Sequence, residues 1–127
     1  MIPILLAAIL AGPAKLAEMR WHKRVLLVSA PRADDPAVAA QRRALQGWDA
    51  GARERDLAIV RVIGDRVDGA TDTAIALRRR FHLPKGRFAV ILIGKDGGEK
   101  LRSATPVAPD VLADTIDAMP MRRSGQR

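Results

Sequence analysis

The chain has 127 residues, of which 48% are hydrophobic and 28% are charged, and this suits one domain with a sizeable core. Its formal net charge of +8 is compatible with an anionic partner, because such a surface attracts anions through its long-range field. No cysteine is present, which excludes disulfides, thiolate nucleophiles, dithiol redox chemistry and cysteine-ligated zinc.

The first residues have the pattern of a secretory signal peptide. An apolar run from Ile2 to Ala11 is ended by Gly12-Pro13, and Ala14 or Ala17 offers a small residue for cleavage. The run is too short to span a bilayer, and no Lys or Arg precedes it, so the positive region typical of such signals is weak. We predict a signal peptide over residues 1–17, a domain over 18–121 without a membrane span, a flexible basic tail over 122–127, and a periplasmic or secreted location.

Short apolar runs alternate with helical patterns after Trp21. Arg24–Ala30 is rich in leucine and β-branched residues, as expected of a strand buried on both faces. Asp35-Pro36 predicts the start of a helix. Behind that start, the residues at helical spacing are Val38, Arg42, Leu45 and Trp48.

The second half of the chain continues the alternation. Leu57–Ile63 predicts a second strand, and Ala74, Leu77 and Phe81 share one face of a second helix. The next apolar run, Phe88–Ile93, predicts a third strand.

A hairpin and a last helix complete the pattern. Asp96-Gly97 lies between the third strand and Glu99–Ala104, and this predicts a tight turn because glycine accepts a positive φ. Pro109 opens a helix with Asp110 in its first turn. The order β-α-β-α-β-β-α predicts a thioredoxin-like α/β fold, in which right-handed βαβ linkage makes the first two strands parallel. We predict a four-stranded mixed sheet of order 2-1-3-4 with helices on both faces.

Several stretches of the chain resemble a known family. They are RWHKRVLLVSAP, DDP, the glutamine at Gln41, ERDL, LRRRF, GRFAVILIGKDGGEKLRS and IDAMPMR, and together they extend from Arg20 to Arg123. The chain thereby resembles the bacterial domain-of-unknown-function family 4174, whose relatives recur in vertebrate extracellular-matrix proteins. The resemblance implies a thioredoxin-like fold and an exported, single-domain protein. It implies no established reaction, substrate or catalytic residue.

The loop after the first strand lacks the chemistry usual for this fold. In thioredoxins two cysteines lie there, at the start of the following helix, where the helix dipole stabilises a thiolate. Here Ala33 and Pro36 stand at the aligned positions.

Glycine-rich stretches also fail to fit a phosphate-binding loop, which reads G-x-x-x-x-G-K-[ST]. In Gly94–Gly98 the lysine precedes Gly97 and Gly98 instead of following them, and no hydroxyl comes after it, so we interpret the stretch as a hairpin tip. Gly64–Thr71 spaces two glycines correctly, but Ala70 replaces the lysine and two aspartates would repel a phosphate. We therefore predict no cofactor.

Asp34 and Asp35 allow two interpretations. Two close carboxylates can share a proton or a divalent cation, which would suit acid-base or metal chemistry. An Asp-Pro pair at a helix start also explains them as an N-cap and its neighbour, and we favour the cap. His22 and His82 are too few and too far apart in the sequence to indicate a zinc site.

Met119 and Met121 pose a similar choice. Paired thioethers can hold Cu(I), and Met19 and His22 would complete a ligand set only if the termini meet. Met119 fits the apolar face of the last helix, and methionine fills core gaps well, so we favour packing and predict no metal.

Basic residues cluster between Arg78 and Arg87 and again in the hairpin. This pattern fits either an anion-binding face or a solvated helix end. Nucleic acid is disfavoured as a partner because aromatic residues make up only 3% of the chain and tyrosine is absent.

Our preferred hypothesis is a non-catalytic binding module for a protein or a small anionic ligand, using a basic face and the loop after the first strand. The alternative is a thiol-independent enzyme at the carboxyl edge of the parallel strands, with Asp34 and Asp35 as acid, base or metal ligands. No catalytic residue is assigned. The candidate binding residues are Arg32, Asp34, Asp35, Arg79, Arg80, Lys95, Lys100 and Arg102.

Overall fold

The computed structural model of the chain describes residues 14–125. Within that range, one sheet is formed by β1 (Arg24–Ala30), β2 (Leu57–Ile63), β3 (Arg66–Asp68), β4 (Ala89–Ile93) and β5 (Glu99–Ser103). The α-helices are α1 (Pro36–Ala44), α2 (Asp49–Glu54), α3 (Ala74–Phe81), α4 (Pro109–Asp117) and α5 (Pro120–Arg123), and a 3-10 helix, Leu16–Met19, precedes the sheet. Most of the predicted signal peptide, residues 1–13, lies outside the described residues.

The strands lie in the order β3-β2-β1-β4-β5. β1 is parallel to β2 and antiparallel to β4, and β5 is antiparallel to β4. The fold is therefore a mixed α/β fold, as predicted. The prediction of a four-stranded sheet in the order 2-1-3-4 is wrong, because β3 pairs with the outer edge of β2 and makes a five-stranded sheet.

The missed strand arises from a turn at Gly64. Its φ of +59° reverses the chain, and the three residues of β3 then pair with the end of β2. Three residues with alternating exposure are too short to give a periodic apolar signal. The stretch Gly64–Thr71 is thus a hairpin followed by a loop, which agrees with the absence of a phosphate-binding motif.

Helices cover both faces of the sheet. The core beneath α1, α2 and α4 contains Leu26, Val28, Val90, Leu92, Leu112 and Ile116. The core beneath α3 contains Val25, Leu27, Val60, Val62, Leu77 and Phe81. All residues of β1 and β4 are buried, which agrees with the inner positions that the predicted order gave to the first and third strands.

The first predicted helix is divided in two. Asp35 caps α1, as its carboxylate accepts a hydrogen bond from the Ala37 amide at 2.9 Å. The helix ends at Ala44, and Gly47, with a φ of +81°, turns the chain before α2 begins at Asp49. Trp48 therefore lies at the junction of α1 and α2 rather than on the apolar face of a single helix.

Both ends of the described range contact the rest of the domain. Leu16 is 5% exposed in the core beneath α3, and its amide donates to Asp72 Oδ1 at 2.7 Å. At the other end, α5 continues beyond residue 121, and Arg122 pairs with Glu54 at 2.9 Å. Residues 16–17, which we predicted to belong to the signal peptide, thus lie in the 3-10 helix. Residues 122–123, which we predicted to belong to the flexible tail, lie in α5.

The β4–β5 connection is the predicted hairpin. The Gly94 amide donates to the Gly98 carbonyl at 2.9 Å, and Gly97 adopts a φ of +86° that favours glycine.

Candidate anion-binding site

The loop after β1 brings Arg32, Asp34 and Asp35 together on the surface. The Arg32 guanidinium lies 3.2 Å from the Asp34 carboxylate, and both side chains are more than three-quarters exposed. Asp35 caps α1. Each carboxylate therefore has a local partner within its own loop or helix start.

Lys95 and Lys100 lie in the hairpin and are both ion-paired. Lys95 Nζ contacts Asp56 Oδ2 at 2.9 Å, and Lys100 Nζ contacts Asp96 Oδ2 at the same distance. The Gly98 amide and the Lys100 ammonium lower the pKa of the Asp96 carboxyl.

Arg102 is occupied by two kinds of acceptor. It pairs with Glu99 at 2.8 Å and donates to the carbonyl of Phe81, at the end of α3, at 2.5 Å. The hydrogen bond from Arg102 lowers the pKa of Glu99. Arg79 and Arg80 lie exposed on α3, where the Arg80 guanidinium lies 5.1 Å from the centre of the Phe81 ring. The predicted binding residues thus fall into three places: the β1–α1 loop, the hairpin, and the surface and end of α3.

A different set of cations shares one pocket at the carboxyl end of β2. This arginine pocket has a volume of about 190 Å³. Its lining residues are Ala33, Val38, Arg42, Arg61, Ile63, Arg66 and Asp68. Ala33 belongs to the loop after β1, so the pocket adjoins the position at which thioredoxins carry their cysteines.

The pocket follows from the periodicity of three elements. Val38 and Arg42 are one turn apart on α1 and therefore share a face. In β2, Arg61 lies between Ile59 and Ile63, which pack against the core beneath α1, so strand alternation places Arg61 on that side too.

β3 supplies the rest of the wall. Its register sets Asp68 opposite Arg61 and Arg66 opposite Ile63. Because Arg66 and Asp68 are two residues apart in a strand, they lie on the same face.

Positive charge dominates the arginine pocket. Among residues 14–125, no acidic side chain lies within ion-pair distance of Arg42, Arg61 or Arg66. Burial lowers the pKa of Arg61 below its ordinary value and the neighbouring Arg42 lowers it further, whereas Asp68 acts in the opposite direction. The guanidinium of Arg61 is thus partly desolvated beside a second cation.

Two arginines of this pocket stand at positions where the sequence pattern predicts apolar residues. Arg42 occupies a position on the inward stripe of the first helix, and Arg61 interrupts an otherwise apolar strand. A charged residue at a position that the pattern assigns to the interior has either a partner or a function. Arg66 carried no such signal, because it depends on the unpredicted strand β3.

The fold and the pocket define a thioredoxin-like α/β domain without thiol chemistry. The chain matches the family model described as "Domain of unknown function (DUF4174)" over residues 15–125. It belongs to that family.

Two longer curated proteins are similar to the chain over part of their length. The chain is 25% identical to coiled-coil domain-containing protein 80 of Danio rerio over 85% of its length and 15% of that protein. It is 28% identical to sushi repeat-containing protein SRPX of Homo sapiens over 87% of its length and 26% of that protein. The chain therefore spans about a quarter or less of these curated relatives.

Two similar solved structures are peroxiredoxins. The reduced 2-Cys peroxiredoxin of Plasmodium vivax has a TM-score of 0.61 at 16% identity, covering 88% of this chain and 85% of that one. A mutant peroxiredoxin 6 of Arenicola marina has a TM-score of 0.56 at 17% identity, covering 87% and 66%. At these identities the likeness establishes the fold.

Two further findings bear on function. Within residues 14–125, no helix combines the length and the apolar character needed to cross a membrane. The same residues bring together no group of three or more His, Asp or Glu side chains that could hold a metal ion.

Proposed function

We propose that the chain is an exported, non-catalytic binding module whose arginine pocket receives a small oxyanion. The observation that carries this proposal is the grouping of Arg42, Arg61 and Arg66 around one pocket without an ion-paired carboxylate among residues 14–125. A guanidinium presents a planar fork of donors that matches phosphate, sulfate or carboxylate oxygens, and such charge-assisted pairs are about twice as strong as neutral hydrogen bonds.

The electrostatics of the pocket favour an anion of charge −2 over one of charge −1. Three guanidiniums and one carboxylate line the pocket, so the lining carries a formal surplus of two positive charges. A bound dianion would neutralise that surplus and relieve the repulsion between Arg61 and Arg42. Because Arg61 is already partly removed from water, it has less hydration to lose when the anion binds than a fully exposed arginine has.

A binding role fits the β1–α1 loop better than the thiol-independent enzyme does. Asp34 is paired with Arg32, and Asp35 accepts a hydrogen bond as the N-cap of α1. Both carboxylates are therefore accounted for by contacts that stabilise the loop and the helix start.

Calorimetric titration of the full chain with sulfate, phosphate and succinate tests the proposal. We expect saturable binding at low ionic strength that weakens with added sodium chloride, because salt screens the pocket. Arg61→Gln should weaken binding by about tenfold or more, since a charge-assisted hydrogen bond contributes about 1.5–3 kcal/mol. Arg43→Gln is the matched control, as Arg43 lies next to Arg42 on the exposed surface of α1.

Thermal denaturation separates a binding role from a structural one. Without an anion, Arg61→Gln should leave the melting temperature unchanged or raise it, because the substitution removes a desolvated cation beside Arg42. In about 10 mM sulfate, a concentration that would fill a weak oxyanion site, the melting temperature of the wild-type chain should rise and that of the variant should not. If Arg61→Gln lowers the melting temperature without anion and binds sulfate as wild-type does, the proposed site is wrong.

Export is the second part of the proposal. It is supported by the apolar run from Ile2 to Ala11 and the small residues behind it. Fusion of the full chain to a reporter enzyme that is active only after export should give activity in a bacterial host. A chain with Leu5 and Leu6 both changed to Arg should lose that activity, and equal activity of the two fusions would contradict export.

A further inference from the structure

The segment before β1 packs on the domain. Leu16–Met19 forms the 3-10 helix, and Leu16 is 5% exposed in the core beneath α3. Leu16 borders a gap of about 10 Å³ that Phe81 and Ile93 also line. That volume is at the lower limit for a single water molecule, so the leucine side chain fills this part of the core closely.

Hydrogen bonds fix the same segment to the loop before α3. The Leu16 amide donates to Asp72 Oδ1 at 2.7 Å. The Thr71 amide donates to the Ala14 carbonyl at 3.1 Å. Both contacts precede Ala17, which the sequence offers as one of two cleavage positions for the predicted signal peptide.

These contacts distinguish the two cleavage positions. Cleavage after Ala17 would remove Leu16 with the signal peptide, and the core beneath α3 would lose the burial of a leucine and gain a cavity. Cleavage after Ala14 would keep Leu16 and its hydrogen bond to Asp72. It would give up only the contact with the amide of Thr71, an exposed residue that water can reach.

The sequence around the two positions favours the same choice. A signal-peptide cleavage site has small residues one and three positions before the cut. Gly12 and Ala14 satisfy this pattern for a cut after Ala14, whereas Lys15 stands three positions before a cut after Ala17. The family match also begins at residue 15.

Glu18 is placed to receive the chain end that such a cut creates. The Lys15 amide donates to Glu18 Oε1 at 2.9 Å. After a cut behind Ala14, that nitrogen would be an α-amino group, which is protonated below a pH of about 8. Its hydrogen bond to the carboxylate would then be charge-assisted and stronger than the bond from the amide.

We propose that the export peptidase of the host hydrolyses the peptide bond between Ala14 and Lys15, so that the mature chain begins at Lys15 with its 3-10 helix complete. Water adds across this bond: its hydroxyl joins the Ala14 carbonyl carbon, the bond from that carbon to the Lys15 nitrogen breaks, and the nitrogen takes the remaining hydrogen. The signal peptide then comprises residues 1–14 rather than 1–17. This inference rests on the proposed export and is independent of the oxyanion site.

Intact-mass spectrometry of the full chain after export from a bacterial host tests the proposal. The exported product should have the mass of residues 15–127. Ala14→Leu should abolish that product, because a bulky side chain would stand directly before the cut. Ala17→Leu is the matched control, since Ala17 is exposed, and its product should still begin at Lys15.

The possible outcomes separate this inference from export itself. A product that begins at Glu18, or processing that is lost in Ala17→Leu but kept in Ala14→Leu, would overturn the cut after Ala14 and leave export standing. An uncleaved chain in the exported fraction would do the same. A full-length chain confined to the cytoplasm, with equal activity of the two reporter fusions, would contradict export and this inference together.

Thermal denaturation of the exported product tests whether the mature domain depends on Leu16. Leu16→Ala should lower the melting temperature by about 5 °C or more, because the substitution leaves a cavity beneath α3. Ala17→Leu, at an exposed position, should change it by less than about 3 °C. A Leu16→Ala product that melts at the wild-type temperature would overturn the inference that the mature chain must retain this residue.

Discussion

At the scale of single residues, Gln41 shows how a buried polar side chain stabilises the fold. It is 3% exposed, and its amide forms two hydrogen bonds with the backbone of Val107, one to the carbonyl at 2.9 Å and one from the amide at 2.8 Å. These two bonds resemble a rung of a β-ladder and connect α1 to the segment before α4. Gln41 belongs to the stretches that resemble the family, but its partner is 66 residues away and could not be inferred from the sequence.

Replacing Gln41 with leucine should lower the free energy of unfolding by about 2–6 kcal/mol, because two buried backbone groups each lose a partner and an unsatisfied buried group costs about 1–3 kcal/mol. Urea denaturation measures the change. Gln46→Leu, at an exposed position just after α1, should change stability by less than about 0.5 kcal/mol. A Gln41→Leu variant as stable as the Gln46→Leu variant would contradict this role.

Arg61 shows why the arginine pocket could not be found from runs of basic residues in the sequence. The predicted basic face consisted of residues that stand out in runs, such as Arg79 and Arg80. Ion pairing and helix-end contacts occupy Lys95, Lys100 and Arg102, whereas an arginine within an apolar strand lacks an ion-pair partner among the described residues. Runs of basic residues in the sequence do not show which of those residues form ion pairs in the folded chain.

At the scale of elements, an ion-pair network joins α2, α4 and α5. Arg55 contacts both carboxylate oxygens of Asp117, at 3.1 and 3.0 Å, and Arg122 contacts Asp117 and Glu54. The hydrogen bonds from Arg55 and then Arg122 lower the pKa of Asp117 below its ordinary value. The network fixes the ends of three helices on one another.

This network predicts a pH dependence of stability. Because the pKa of Asp117 is lower in the folded than in the unfolded chain, its stabilisation is complete above the unfolded value of about 4 and is lost as the pH falls through the folded value. Asp117→Asn should lower the free energy of unfolding at pH 7 by about 0.2–1 kcal/mol, the range for exposed pairs, and the difference from wild-type should shrink below about pH 4.

Asp114→Asn provides the control for that measurement, since Asp114 is exposed on the same helix and has no ion pair among residues 14–125. Chemical denaturation between pH 2.5 and pH 7, a range of about two units around the ordinary aspartate pKa, follows the effect. A difference between wild-type and Asp117→Asn that stays constant over this range would exclude the proposed linkage.

Strands and helices with a clear pattern of apolar residues could be predicted from the sequence, and those with a weak pattern could not. β1 and β4 are continuous apolar runs, and the β4–β5 turn contains Asp-Gly, so local chemistry defined them. β3 is formed only because Gly64 reverses the chain beside an open edge of β2. The division between α1 and α2 depends on Gly47. Its positive φ could not be inferred from the sequence, because residues on both sides of it continue the helical spacing.

At the scale of the whole molecule, the thioredoxin-like α/β scaffold groups charged side chains at one end of its sheet. The arginine pocket lies at the carboxyl end of β2, where open α/β sheets tend to bind ligands. The alternation of strands and helices predicted the α/β class and its layers, but the arginine pocket combines residues from α1, β2 and β3 that are far apart in the chain, and finding it required the structure.

The most direct measurement of the central claim is a nuclear magnetic resonance titration of the arginine Nε–Hε groups with sulfate. The signals of Arg42, Arg61 and Arg66 should shift together with one midpoint, and those of Arg79 and Arg80 should not follow. Shifts confined to Arg79 and Arg80, or no saturable shift at Arg61, would contradict an oxyanion site in the arginine pocket.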